Sequence, residues 1–354
     1  MSGTHPGKKE KEMKAAVLTA PEKIEVNEVE TPAIGEHEVL VKIKSCGICT
    51  LEQRLFSGAV TMRYPIIPGH EASGEVIEVG RRVLSGLAPG ARVALDLVLR
   101  CGECYYCRTG QSNMCLNRFK DDRRVLGGFG EYIAVSASQV YPIPASLTCG
   151  EAAFTEPLSC CVRSLKKIGL HLAEDLLVIG AGPMGQMHLQ VALCMGARVF
   201  VSDPDRDRLA MAKRLGAFAV IDPAKDELIG ALKAETDGRG VDACVVTSMA
   251  QAALVAAFQG VSRNGRVSIY TSYTDKPPLP IDANTLHRNE ILVTGSEGRT
   301  EQDFLQALRL LSFGKVNVKP LISRTVGFAG LEAGIRAAMT RDTYRVLLEH
   351  EGSS

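Results

Sequence analysis

Four cysteines fall within fifteen residues: Cys101, Cys104, Cys107 and Cys115, spaced C-x2-C-x2-C-x7-C. Four thiolates at such spacing can close a tetrahedral shell around Zn²⁺ with no open position, which makes a structural metal site. An Fe–S cluster uses the same number of cysteines. Three further segments carry side chains that could hold a second metal: Cys46-Gly-Ile-Cys49, Pro68-Gly-His70-Glu71-Ala-Ser-Gly and Thr155-Glu156-Pro157-Leu-Ser. Singly, each has a plain reading. A cysteine at a strand end is commonly a small core residue, Gly-His-Glu is a turn, and Glu-Pro opens a helix. Together, and in this order, they point to metal chemistry. His171, His188, His287 and His350 have no ligand-like neighbours in the chain.

A second signal is Gly180-Ala-Gly182-Pro183-Met184-Gly185, a G-x-G-x-x-G run. It follows the apolar stretch Asp175-Leu-Leu-Val-Ile and opens a helical pattern, and the next strand ends at Asp203, 23 residues after Gly180. That context is what a dinucleotide pyrophosphate needs. Gly180 permits the tight turn, Gly182 lets backbone N–H groups approach the phosphates, and Gly185 lets the helix pack close to the strand, while the helix N-terminus favours the charge. Asp203 is placed to accept from the adenosine ribose and to repel a 2′-phosphate, which favours NAD over NADP. Arg206 and Arg208 lie close enough to soften that preference. Pro183, Met184 and Thr247, the last just past the strand Val241–Val246, are assigned to the same pocket. The alternative is a glycine-rich turn in a similar fold that binds something else.

These residues must be positioned by two kinds of structure. From Met13 to about Tyr141 the signals are short Val/Ile-rich pieces bounded by Gly and Pro, among them Lys14–Leu18, Glu38–Lys44 and Gly74–Gly80. They predict a barrel-like, mostly antiparallel domain. A helical linker is expected over about Cys149–Lys167. Strands at Asp175–Gly180, Ala197–Asp203, Ala219–Asp222, Val241–Val246 and Gly265–Tyr270 then alternate with helices at Met184–Met195 and Asp205–Leu215, the pattern of a parallel, doubly wound sheet. An amphipathic helix over Glu301–Leu311 and a strand over Tyr344–Glu349 follow.

The chain has 354 residues, enough for about two domains. A net charge of +1 gives no global electrostatic case for nucleic acid or an anionic membrane. No apolar run approaches the roughly 18 residues needed to span a bilayer. The N-terminus, Met1 to Lys14, is polar and lysine-rich without the apolar core of a secretory signal. It reads as a disordered tail or cloning remnant, and the protein as cytoplasmic. Cysteines kept reduced there are free to bind metal.

The succession CGIC…GHEASGEV…CGECYYC…EPLS…GAGPMG resembles the zinc-dependent medium-chain dehydrogenase/reductase family across essentially the whole chain, with Gly-His-Glu-Ala-Ser-Gly and Glu-Pro-Leu-Ser nearest the sorbitol (polyol) and threonine dehydrogenase branch. The resemblance implies a GroES-like β-barrel-type catalytic domain, residues 13–157 and 299–354, with the cysteine lobe at about 96–118. It implies a Rossmann NAD-binding domain over 158–298 and leaves 1–12 as the tail. It implies two zinc ions per subunit: a structural one on Cys101, Cys104, Cys107 and Cys115, and a catalytic one on Cys49 and His70, with Glu71 and Glu156 binding or water-bridging it. An alcohol would bind the catalytic zinc, which stabilises its deprotonated form, and its hydride would pass to the nicotinamide in a cleft between the domains. The product is the ketone of a polyol or secondary alcohol. A homodimer or homotetramer is expected, with Val267–Tyr270 and Ile291–Thr294 as candidate interface strands.

The chain departs from the family after Cys49. The family has Ser or Thr two residues on, and a His three further, to relay the alcohol proton. Here those positions are Leu51 and Arg54, and leucine cannot relay a proton. Glu156, Thr50, Glu52 or ordered water are the candidate replacements. Arg54 never deprotonates and binds carboxylate or phosphate in bidentate fashion, so Thr50 and Arg54 are candidate substrate residues, an anionic substrate being one option and a solvated loop arginine the other. Phe56, Met62 and Tyr64 are expected to line the substrate cleft or to join the core, and Cys160 and Cys161 to serve packing. A threonine-type amino-alcohol dehydrogenase and a non-catalytic NAD-binding protein on the same scaffold remain the competing functions.

Overall fold

The computed structural model describes residues 12–60, 62–118, 126–273 and 276–350. The tail expected over 1–12 lies outside them except for Glu12, which opens the first strand. By contact, the chain divides into two units: residues 1–99, 117–156 and 319–354, and residues 100–116 and 157–318.

In the first unit, β1 (Glu12–Ala20) and β2 (Lys23–Glu30) form an antiparallel ribbon. The strands β3 (Glu38–Gly47), β4 (Glu71–Val79), β5 (Arg92–Asp96), β6 (Tyr132–Ser136) and β7 (Val140–Pro142) build most of a larger sheet. After β8 to β13 of the other unit, β14 (Ile322–Val326) and β15 (Arg345–Glu349) complete it, in the order β14-β15-β3-β4-β5-β7 with β6 on β3. All its pairings are antiparallel except β14 with β15. Alternate residues such as Val39, Val41, Ile43, Val76, Val93, Leu95, Val346 and Leu348 enclose one apolar core, as period-2 patterning requires. The barrel-like reading of this region holds.

The second unit is a six-stranded, wholly parallel sheet: β8 (Asp175–Ile179), β9 (Arg198–Ser202), β10 (Ala219–Ile221), β11 (Val241–Val246), β12 (Val261–Ile269) and β13 (Leu292–Gly295). Its order is β10-β9-β8-β11-β12-β13. Leu176, Leu177, Val178, Ala243, Cys244 and Val245 are fully buried, because helices cover both faces of such sheets and leave no polar side.

Four expectations are corrected. The linker helix is broken: Cys149–Ala152, capped by Thr148, ends before Thr155–Lys167 begins. The helix Glu301–Ser312 belongs to the second unit, so the chain re-enters the first at Lys319 rather than near 299. Buried Asp303 takes Lys166 Nζ at 2.6 Å, and Gln190 exchanges two hydrogen bonds with Asn317, which ties this stretch to the parallel sheet. The cysteine lobe goes with the same unit, through Asn113 to the Glu297 carbonyl and Ser112 to Glu301. Finally, β12 is paired on both sides and cannot be an interface strand by edge pairing, whereas β13 ends the sheet with Leu292 exposed. No helix among the described residues is long and apolar enough to cross a membrane.

Candidate metal centre and dinucleotide cradle

Cys49, His70 and Glu71 each present a ligand atom, and the three atoms lie within 4.8 Å of one another. Cys49 sits just past β3, at the N-terminus of the helix Thr50–Phe56; His70 directly precedes β4 and Glu71 opens it. The register Gly47↔Glu71 sets the ends of β3 and β4 side by side. A Cβ on Gly47 would overlap the Glu71 carboxylate, so glycine there gives that carboxylate its room. Of the two cysteines in the Cys-Gly-Ile-Cys run, Cys49 joins the cluster. Cys46 is fully buried, its sulfur against the Cβ positions of Gly69 and Gly128.

Glu52 organises the centre. It is 2 % exposed, and its Oε1 lies 2.7 Å from His70 Nδ1. The same oxygen accepts from the Gly69 N–H at 3.2 Å, and Oε2 accepts from the Cys49 N–H at 3.0 Å. As the third residue of its helix, Glu52 thus reaches back to the residue before it, as in a capping box. The carboxylate keeps the imidazole proton on Nδ1 and leaves Nε2 as the ligand, the usual second partner of a metal-binding histidine. Burial opposes charge on His70, but Glu52, the Cys49 hydrogen bond and Glu156 outweigh it and hold the ring protonated well above the ordinary histidine range. Burial raises the Cys49 thiol, with Glu71 adding to it. Such groups hold protons that a cation would displace.

Arg345 closes the other side. It leads β15, the neighbour of β3, is 4 % exposed, and places Nη2 3.2 Å from Glu71 Oε1. Its Nη1 donates to the Ile48 carbonyl at 3.2 Å. Burial raises the Glu71 carboxyl above its ordinary value; Arg345 pulls it down and Glu156 up. Glu156 is outside the three-residue cluster but buried, and close enough to act electrostatically on His70, Glu71 and Arg345. Cys49, His70 and Glu71 are therefore brought to one place, with Glu156 outside their ligand-atom cluster. Arg345 was missed: a lone Arg leading an apolar strand was the available signal. Glu52 was named only as a possible relay, though its spacing from Cys49 marked a cap.

Around the centre, Leu51 packs on the apolar core, so this position offers no hydroxyl. Thr50 is exposed and Arg54 half-buried on the same short helix. Phe56 belongs to the core, and Met62 and Tyr64, partly buried, pack against it, with Tyr64 Oη donating to the Leu55 carbonyl at 3.0 Å. The core expectation is realised for Phe56.

The four lobe cysteines also present sulfurs within 4.8 Å of one another. The Cys104 N–H donates to Cys101 Sγ at 3.3 Å and the Cys101 N–H to Cys115 Sγ at 3.4 Å. Backbone donors from Cys107 and Leu116 lower the Cys104 thiol. Amides aimed at sulfur stabilise thiolates, as a closed four-thiolate zinc site requires.

The glycine run forms a cradle between β8 and the helix Pro183–Cys194. Gly180 has φ +104°, where L side chains are strained, and a Cβ on Gly185 would overlap the Gly180 carbonyl oxygen. A Cβ on Gly182 would meet only Arg208 Nη1, at 3.4 Å, which leaves that face open to a ligand. Pro183 occupies the first helical turn and Met184 is half-buried beside it. Thr247 Oγ1 donates to the Ile179 and Gly180 carbonyls at 3.1 and 3.0 Å. Asp203 Oδ2 accepts from the Ala181 N–H at 2.7 Å and Oδ1 from the Asp205 N–H at 2.9 Å. The acid at the strand end therefore braces the loop. Cys161 is buried in this unit.

The chain matches two families of known proteins. The alcohol dehydrogenase GroES-like domain family matches residues 35–145, and the zinc-binding dehydrogenase family residues 183–312. The chain is 35 % identical to an alcohol dehydrogenase of Geobacillus stearothermophilus over 321 residues, 87 % of this chain and 93 % of the relative. It is 30 % identical to the D-arabitol-phosphate dehydrogenase of Enterococcus avium, covering 96 % of this chain and 98 % of that one. Its fold matches the crystal structure of a candidate zinc-binding dehydrogenase of Sinorhizobium meliloti 1021 bound to NADP with a TM-score of 0.89 at 28 % identity, covering 96 % of this chain and all of the other.

Proposed function

The chain belongs to the zinc-dependent medium-chain dehydrogenase/reductase family, polyol- and threonine-dehydrogenase-like branch, and from that premise we propose that it oxidises a polyol or secondary alcohol to the ketone with NAD⁺ as hydride acceptor. The observation that carries the reading is the convergence of Cys49, His70 and Glu71 within 4.8 Å, a three-ligand set that leaves a coordination position free.

The fit of zinc rests on the donor set: one thiol, one imidazole whose other nitrogen is held by Glu52, and one carboxylate. Bound there, zinc would supply Lewis acidity toward a hydroxyl and the nicotinamide would supply the redox chemistry. The chain's own contribution is orientation and charge. Glu52 fixes the His70 ring, and Arg345 restrains the Glu71 carboxylate. Glu156 adds negative potential, which would favour a cation at the centre, and Glu71 and Glu156 are the carboxylates that would bind or water-bridge it. With Leu51 apolar, the alcohol proton leaves by Glu156, Thr50, Glu52 or water. The four-cysteine lobe takes the second zinc.

Asp203 supports NAD over NADP, because a 2′-phosphate would be set against its carboxylate. Arg208 is the residue that would moderate this preference. Zinc thiolates need a reducing compartment, which supports the cytoplasm, and the open edge of β13 supports a homo-oligomer paired through that strand. Arg54 supports an anionic alcohol, and the arabitol-phosphate relative has such a substrate by name. The test is a panel of free polyols, polyol phosphates, diols, hydroxy acids and L-threonine, read by formation of reduced nicotinamide. Turnover of a polyol phosphate whose KM rises about tenfold in Arg54→Ala supports an anionic substrate. An unchanged KM removes Arg54 from substrate binding, and turnover of threonine alone replaces the polyol reading with the amino-alcohol one.

A further inference from the structure

We infer that Gln186 is a positioning residue for dinucleotide binding, holding the glycine loop to the helix that carries Arg208. The inference rests on the reading that this loop takes NAD(P). Gln186 follows Gly185 in the helix Pro183–Cys194 and is 1 % exposed. Its Nε2 donates to the Ala181 carbonyl at 3.1 Å and to the Arg208 carbonyl at 2.9 Å. Two carbonyl acceptors fix which end of the amide faces them.

Ala181 is the middle residue of Gly180-Ala-Gly182. Its N–H is taken by Asp203 Oδ2 at 2.7 Å and its carbonyl by Gln186, so the loop is clamped from the strand end on one side and from its own helix on the other. The second hydrogen bond ties the loop to the helix Arg206–Arg214, from which Arg208 Nη1 comes within 3.4 Å of the Cβ position of Gly182. The face on which a pyrophosphate would lie and the nearest cation are thus set relative to each other through one buried amide.

Packing alone does not call for that amide. Gln186 Oε1 is buried with no hydrogen-bond partner among the described residues, a cost an apolar side chain of the same size avoids. Both donors of the side chain are spent on the loop and on the Arg208 helix. Gln190, one turn further on, is the natural comparison. It too is buried, but its amide accepts the Asn317 N–H at 2.7 Å and donates to the Asn317 carbonyl at 3.1 Å and, within its own helix, to the Gln186 carbonyl at 3.4 Å. It braces the fold and touches no part of the loop.

The experiment compares Gln186→Met with Gln190→Met in the full-length, zinc-loaded protein. NADH binding is followed by fluorescence, ADP-ribose binding by competition, and kcat at saturating cofactor. Loss of the clamp should raise the Kd for NADH and for ADP-ribose roughly five- to tenfold in Gln186→Met, with kcat at saturation within about twofold of wild type. Gln190→Met should lower Tm while leaving both Kd values within about twofold. Wild-type affinity in Gln186→Met, or an equal loss in both variants, overturns the inference. If Gln186→Met does not fold, Gln186→Glu, which keeps length and polarity but removes the donors, is read by the same criteria. A wild-type protein that binds no dinucleotide overturns the cofactor reading and this inference together; tight binding in Gln186→Met overturns the inference alone.

Discussion

His70 Nδ1 lies 2.7 Å from Glu52 Oε1, and the same carboxylate takes the backbone N–H groups of Cys49 and Gly69. One buried acid therefore fixes the ring of one ligand and the backbone beside two. Glu52→Gln should keep the shape and lose the charge, weakening zinc at this centre about 10- to 100-fold. Competition with a zinc chelator measures it. An unchanged affinity would show that the ligands are positioned without Glu52.

Arg345 and Glu71 form a buried ion pair at 3.2 Å. Removing one partner leaves a buried charge uncompensated, so Arg345→Met should destabilise the protein by roughly 3–5 kcal/mol, and adding Glu71→Gln should recover part of that loss. Urea denaturation of the two single variants and the double variant decides it. Strictly additive losses would mean that the pair is not energetically coupled.

The four-cysteine cluster can be tested apart from the Cys49 centre. On the proposed two-zinc reading, Cys107→Ser should release one of the two ions and lower Tm while leaving the Cys49 centre loaded. Metal analysis of purified protein reads this, and retention of both ions would exclude the four-cysteine site.

Two buried histidines give acid sensitivity. Burial lowers His188 and His350 to about 4 from the ordinary 6.5, with backbone carbonyls of Met184 and Gly128 pulling weakly the other way. Their folded values lie below the unfolded one, so the unfolded chain binds more protons between those limits. Stability attributable to them is full above about pH 6.5 and falls as pH drops toward 4, by at most about 3 kcal/mol each. Stability against pH should be less steep in His188→Asn than in wild type across that window; parallel curves would contradict the assignment.

Much of this was legible in the chain. Cys101 to Cys115 and Gly180 to Gly185 are local: their chemistry follows from spacing, and the structure gathers them as the spacing requires. Strand and helix periodicity placed both sheets. Non-local pairings escaped. Arg345 lies nearly three hundred residues from Ile48, whose carbonyl it binds, and no periodicity announces that β15 will lie beside β3. The return of the chain at Lys319 was missed for the same reason, since Asp303 and Asn317 are held by Lys166 and Gln190 of two distant helices. The interior position of β12 depends on strand order, which alternating propensity does not encode.

The most direct measurement of the central claim is reduced-nicotinamide formation on the best alcohol of the panel, in protein stripped of metal by a chelator and then resupplied with zinc, with Cys49→Ala alongside. The account predicts turnover that vanishes on stripping, returns with zinc, and is absent in Cys49→Ala although that variant still binds NADH. Turnover that survives stripping, or persists in Cys49→Ala, would contradict a zinc-dependent dehydrogenase centred on Cys49, His70 and Glu71.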